Sequence, residues 1–163
     1  LGADEQKIRQ ALRTFRGIWR RFEWVYVGPN AVFIDDYAHH PEELKAAIRA
    51  ARSLYPNRKI TGVFQPHLYS RTRDFVDGFA EALDELDEVY LLDIYPAREL
   101  PIEGVSSKII FDKMKNMNKK MISKNELINN LKKLKIEVLL TLGAGDIGAM
   151  TKDIARELFS LPE

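Results

Sequence analysis

Four short groups of polar residues in this chain have the makeup of a working site. Asp35-Asp36-Tyr37-Ala38-His39-His40 offers two carboxylates, a phenol and two imidazoles. Gln65-Pro66-His67 is followed by Ser70, Arg71 and Arg73, and Asp93 is followed by Tyr95 and Arg98. The last group is Gly143-Ala144-Gly145-Asp146. All three histidines of the sequence fall in these groups. Several chemistries draw on such residues. Histidines and aspartates ligate divalent metals, but adjacent His39 and His40 do not readily face one ion and there is no HExxH-type helical pair, so no metal site is expected. Ser70 near His67 suggests a nucleophile with its base, without the GxSxG elbow that would present it. The glycine loop can bring backbone N–H groups to a phosphate, or can simply turn tightly with Asp146 as the helix N-cap. Arg71 and Arg73 have the fork that grips a carboxylate or phosphate through two hydrogen bonds, and the alternative for them is surface ion pairing. A GxxxxGK(S/T) loop, the usual cradle for nucleotide phosphates, is absent from the sequence.

These groups need elements to hold them, and the hydrophobic pattern supplies candidates. Two strand-like runs, Phe22–Val27 and Ala31–Tyr37, flank the turn formers Gly28-Pro29-Asn30 and predict a β-hairpin. Pro41 suits the first turn of a helix whose apolar face is Leu44, Ala47, Ile48 and Ala51. Lys59–Phe64 and Glu88–Leu92 read as strands, with a helix through Phe75, Phe79, Leu83 and Leu86 between them. A short helix over Ser106–Lys115, a short strand within Met117–Ile122 and a helix through Leu127, Ile128 and Leu131 follow. Glu137–Leu142 is a strongly apolar strand, and Ile147, Met150, Ile154 and Leu158 mark the closing helix. Strand–helix alternation with short apolar strands predicts an α/β fold: a Rossmann-like, doubly wound, mainly parallel sheet with helices on both faces. In such sheets ligands bind beyond the carboxyl ends of the strands, and each of the four polar groups follows a predicted strand.

Length and composition narrow the function classes. The 163 residues make one ordinary domain, with 45% apolar residues to fill a core. Twenty-five basic against 24 acidic side chains give no global field for nucleic acid or a membrane surface. The absence of cysteine removes disulfides, thiolate catalysis and cysteine-based zinc sites. No apolar run is long enough to span a bilayer and the first residues lack a signal-peptide core, so a cytoplasmic location is expected. The first twenty residues differ from the rest. Ile8, Leu12, Phe15 and Trp19 recur at helical spacing among Arg9, Arg13, Arg16, Arg20 and Arg21, which predicts a linker helix over residues 1–21 ahead of a domain over 22–163. A chain that starts at Leu1 suggests a piece of something longer. The Lys/Asn-rich stretch Lys113–Asn130 reads as a solvated outer edge.

At the same polar groups the sequence resembles a known family. Ile34-Asp35-Asp36-Tyr37-Ala38-His39-His40-Pro41 resembles the opening motif of the C-terminal domain of Mur ligases. Phe64 to Thr72, Asp93 to Glu99 with Pro101 to Ser107, and Gly143 to Ile147 are similar to the later motifs of that domain, in the same order. Phe15 to Phe22 resembles the junction out of the family's central ATPase domain. The form is that of the branch joining L-alanine to UDP-N-acetylmuramate. The resemblance implies a three-domain enzyme of peptidoglycan synthesis, of which this is the third domain and is inactive alone. ATP and Mg²⁺, held mainly by the central domain, activate the muramic acid carboxylate as an acyl phosphate, which the amine of L-alanine attacks. Its implied partners are UDP-N-acetylmuramate, L-alanine, ATP and the N-terminal and central domains of the same chain. By motif, Arg21 would reach an ATP phosphate and Asp36 the ribose side of the nucleotide. Tyr37, His39, His67 and Arg71 would bind L-alanine, Arg71 pairing with its carboxylate. Leu68 stands where some members carry a second arginine, so that contact would rest on Arg71 with help from His67 or Arg73. Ala38 stands where glycine is also common. The contrasting expectation is a stand-alone Rossmann-like module that binds a nucleotide or anion without catalysis.

Overall fold

The computed structural model describes residues 2, 4–15 and 17–160. Its elements follow the apolar pattern. The hairpin consists of β1 (Glu23–Val27) and β2 (Val32–Asp36), antiparallel, closed by Gly28 N–H donating to Ala31 O at 2.9 Å. Then come α2 (Pro41–Leu54), β3 (Ile60–Phe64), α3 (Tyr69–Asp74), α4 (Val76–Leu83) and β4 (Glu88–Leu91). After these come α5 (Lys108–Lys113), β5 (Lys119–Met121), α6 (Lys124–Leu131), β6 (Val138–Leu142), a 3₁₀ turn at Asp146–Met150 and α7 (Thr151–Phe159). Ahead of the hairpin lies α1 (Glu5–Thr14), capped by Asp4.

The six strands form one sheet in the order β1-β2-β6-β3-β4-β5, with every pair after the hairpin parallel. β6, last in sequence, slots between β2 and β3, so the chain reverses its direction of winding there. The two central strands β3 and β6 are buried at every residue, which is why they read as nearly continuous apolar runs, interrupted only by Thr61 and Gly62 in β3 and Thr141 in β6. Side chains alternate between faces. Val32 and Ile34 of β2 join Leu140 and Leu142 of β6 under α2, α4 and α5. Phe33 and Leu139 face the other way, under α6 and α7. Helices on both faces of a parallel sheet are the architecture the alternation predicted.

Local chemistry sets the helix ends. α2 starts with Pro41 at N1, where its missing N–H costs nothing, and His40 and Glu43 form a reciprocal capping box. Its buried face is Leu44, Ala47, Ile48 and Ala51, as the spacing required. The edge strand β5 is three residues long and carries Lys119 and Lys120, which blunts it against pairing with another chain.

Two expectations are corrected. The helix expected through Phe75, Phe79, Leu83 and Leu86 is α4, which runs only from Val76 to Leu83: Phe75 precedes it with φ −120° and an exposed ring, Leu86 follows it, and the unexpected short helix α3 comes before. α1 stops at Thr14 rather than running on to Arg21, because Phe15 is extended and Gly17 has φ +87°. Its apolar residues Ile8 and Leu12 are exposed, as are Phe15 and Trp19, so the stripe is not buried among the described residues. Arg16, one of the five arginines of that segment, lies outside the described residues.

Candidate functional site at the carboxyl rim of the sheet

Because β2, β6, β3 and β4 run parallel, the residues that follow each of them gather on one rim. A row of side chains crosses it. The Arg21 guanidinium lies 5.3 Å from the centre of the Tyr37 ring, and Tyr37 meets His39 edge-to-face at 5.2 Å. The His39 ring is 6.1 Å from that of His67, and Arg71 Nη1 is 3.4 Å from His67 Nδ1. The expected site residues Arg21, Tyr37, His39, His67 and Arg71 therefore form one continuous line.

Asp36 adjoins the line at its Arg21 end. Its Oδ2 accepts the Phe22 N–H at 2.6 Å and its Oδ1 the Ala38 N–H at 2.7 Å. Burial raises its pKa, opposed by those two amides and by Arg21. Asp36 is thus a brace for the backbone on both sides of it, with lone pairs left to accept a ligand hydroxyl.

Hydrogen bonding orients the two imidazoles. His39 Nδ1 faces two acceptors, Tyr37 O at 3.0 Å and Glu43 Oε2 at 3.2 Å, so a proton belongs on Nδ1. His67 Nδ1 faces a donor, Arg71, and must itself accept. Burial lowers the His67 pKa first, and the charges of Arg71 and His39 lower it further. His67 is accordingly neutral at pH 7, stacked on Tyr95 with centroids 5.7 Å apart. Arg71 makes no ion pair with a carboxylate among the described residues, and its one side-chain hydrogen bond is to His67.

Several other candidates leave the row. The His40 ring caps α2 and packs on Phe75 at 4.6 Å. Arg73 pairs with the adjacent Asp74 at 2.7 Å, whereas His67 lies beside Arg71. The Ser70 hydroxyl donates to Glu99 rather than to His67, which ends the nucleophile–base idea. Asp146 makes no N-cap bond; it accepts from Gln65 Nε2 at 2.7 Å and pairs with Lys124. Gln65 Oε1 in turn accepts the Ile147 N–H at 2.9 Å, so the glycine loop is laced to β3.

Sequence reasoning missed Arg20. The pattern places it among the arginines of a linker helix, yet it is 5% exposed. Its Nε donates to Asp35 Oδ2 at 2.8 Å, and its Nη2 to Gly143 O at 2.6 Å. The signal was available in Asp35: a carboxylate on a buried strand must have a partner inside. A cavity of about 570 Å³ lies beside this junction, lined by Phe15, Ile18, Trp19 and Trp24, and it touches the row through Arg21.

Comparison with known proteins adds the family. A profile described as Mur ligase, glutamate ligase domain, matches residues 20–148. The chain belongs to the Mur ligase family. The UDP-N-acetylmuramate–L-alanine ligase of Flavobacterium psychrophilum is 54% identical to this Mur ligase domain over 157 residues, 96% of this chain and 35% of that protein. The Porphyromonas gingivalis ligase of the same name is 50% identical over 161 residues. Among solved structures, the UDP-N-acetylmuramate–alanine ligase of Thermotoga maritima superposes with a TM-score of 0.75 at 30% identity, over 98% of this chain and 34% of that one. The murein peptide ligase of Psychrobacter arcticus has a TM-score of 0.71 at 16% identity, a likeness of fold alone. This Mur ligase chain spans about a third of the length of the relatives it matches.

Proposed function

We propose that this chain is the amino-acid-binding C-terminal domain of an ATP-dependent, cytoplasmic ligase that joins L-alanine to UDP-N-acetylmuramate in peptidoglycan synthesis. In this reading residues 1–21 lead in from a preceding domain and 22–163 form the C-terminal domain. The observation that carries it is Arg71, a guanidinium on the rim without a carboxylate partner among the described residues, beside a neutral His67. L-Alanine has little apolar surface, so charge-assisted hydrogen bonds must do most of the positioning. Arg71 supplies the fork for its carboxylate. His39 and Tyr37 line the path on which the amine is presented, and a neutral His67 adds no charge to repel it.

The nucleotide end of the row fits ATP. Arg21 is exposed and can reach a phosphate, and the spare lone pairs of Asp36 can accept ribose hydroxyls. With no phosphate loop in the sequence, the phosphates and Mg²⁺ rest mainly with the preceding domain. ATP, when bound, supplies the phosphoryl group that activates the muramic acid carboxylate. What this chain contributes is orientation of the amine and exclusion of water as the domains close.

The test compares the chain with the full-length protein. ADP release by the full-length protein should require both UDP-N-acetylmuramate and L-alanine, and the chain alone should turn over no ATP. Steady ATP hydrolysis by the pure chain, or full activity without L-alanine, overturns the assignment.

A further inference from the structure

Arg71 sits in the first turn of α3, and that helix has little to hold it in place. It is six residues long, too short to be stable by itself. Its first N–H groups need acceptors, yet the residue at the N-cap is Leu68, with φ +71° and no polar side chain to offer. The missing acceptors come from another loop. Glu99 Oε2 accepts the Ser70 N–H at 2.9 Å, and Oε1 accepts the Ser70 hydroxyl. The Ser70 hydroxyl and then its amide hold the Glu99 carboxyl below the usual range, so it is ionised at neutral pH.

Glu99 is itself placed firmly. Its N–H closes a turn on Pro96 O at 2.9 Å, with Ala97 in the left-handed region at φ +51°. Two backbone rungs lie between this turn and the His67 loop: Tyr95 N–H to Pro66 O at 2.8 Å and Leu68 N–H to Tyr95 O at 2.9 Å. The Glu99–Ser70 pair is the third rung of that ladder and the one that reaches the helix. Within α3 itself, Thr72 is buried and donates its hydroxyl back to Leu68 O at 2.8 Å.

We propose that Glu99 is a positioning residue for the incoming amino acid: by capping α3 from outside the helix it sets where the Arg71 guanidinium stands beside His67. The inference rests on the reading of Arg71 as the carboxylate-binding group. It separates the two substrates, because Glu99 contacts nothing at the Arg21 and Asp36 end of the row.

The experiment is steady-state kinetics on the full-length ligase with L-alanine and ATP varied separately. Glu99→Ala should raise the KM for L-alanine about tenfold and leave that for ATP within about twofold. Glu99→Gln keeps an acceptor for the Ser70 amide and should restore most of the loss. Ser70→Ala should act in the same direction, and the double variant should be no worse than Glu99→Ala, since the hydroxyl contact that Ser70→Ala removes is one of the two that Glu99→Ala removes. Equal increases for both substrates, or an L-alanine KM unmoved by Glu99→Ala, overturn the proposal. Arg71→Ala run in parallel separates the two levels. If it raises the L-alanine KM while Glu99→Ala does not, only the positioning role falls; if Arg71→Ala has no effect, the reading beneath it falls as well. If Glu99→Ala does not fold, Ser70→Ala decides on the same criterion.

Discussion

Arg20 and Asp35 form a salt bridge sealed on both sides, with side-chain exposures of 7% and 1% and an Nε–Oδ2 distance of 2.8 Å. It joins the segment entering the domain to the middle of the sheet. Asp35 Oδ1 also accepts the Thr141 hydroxyl at 2.6 Å, and Arg20 reaches on to the glycine loop, so one cation ties three parts of the chain together. Removing one partner strands the other. Arg20→Met should destabilise the domain by about 3–5 kcal/mol, read as a lower denaturation midpoint in urea, and Asp35→Asn added to it should cost less than the two single changes summed. Full additivity would mean the pair is not coupled.

Arg71 faces outward to the rim and should behave differently. Arg71→Ala should leave the unfolding midpoint nearly unchanged while raising the KM for L-alanine by about 10- to 100-fold, the worth of a charge-assisted hydrogen bond, with the ATP KM unaffected. Arg71→Lys should recover the charge but not the two-pronged contact, and so lie between.

His67 gives a pH signature. Its folded pKa lies below its unfolded value near about 6.5 because burial, Arg71 and His39 all disfavour the cation, against a smaller pull from Glu99. As pH falls the unfolded chain takes up this proton first. The stability His67 contributes is therefore complete above about pH 6.5 and lost as pH falls through the depressed folded value. The difference in unfolding free energy between wild type and His67→Gln, measured from about pH 7.5 to 4.5, should shrink on acidification. A difference that stays flat would place His67 in an unperturbed setting.

Gly143 has φ +133°, and a Cβ there would stand 2.5 Å from the carbonyl oxygen of Gln65. Gly143→Ala should cost about 1–3 kcal/mol in unfolding experiments and displace the loop whose carbonyl Arg20 holds. Ala144→Gly, one residue on, serves as the control.

The strands, the hairpin, the two-faced helical cover and the gathering of four polar groups were all legible, because each follows from a local apolar period and from parallel-sheet geometry. Tertiary partners were not. Arg20 and Arg21 are adjacent letters, yet one is buried on Asp35 and the other lies open over Tyr37; periodicity of the preceding segment gives no hint of this, since the helix has already ended. The helix α3 was hidden because Tyr69–Asp74 is too short and too polar to show an apolar period, with only Thr72 buried. Asp146 was read as a cap from its place after a glycine turn, but Gln65 and Lys124, far away in sequence, claim its oxygens first.

The anchoring of Arg20, with the Phe22 amide held by Asp36 and a bridge between Ile18 and Arg21, also fixes where turning can occur. Any change in the direction of α1 must therefore be taken up ahead of Ile18, where Gly17 has φ +87° and a Cβ would meet nothing within 4 Å. Arg21 then travels as part of the sheet's own rigid body, and rotating the lever ahead of Ile18 leaves its spacing from Tyr37 untouched.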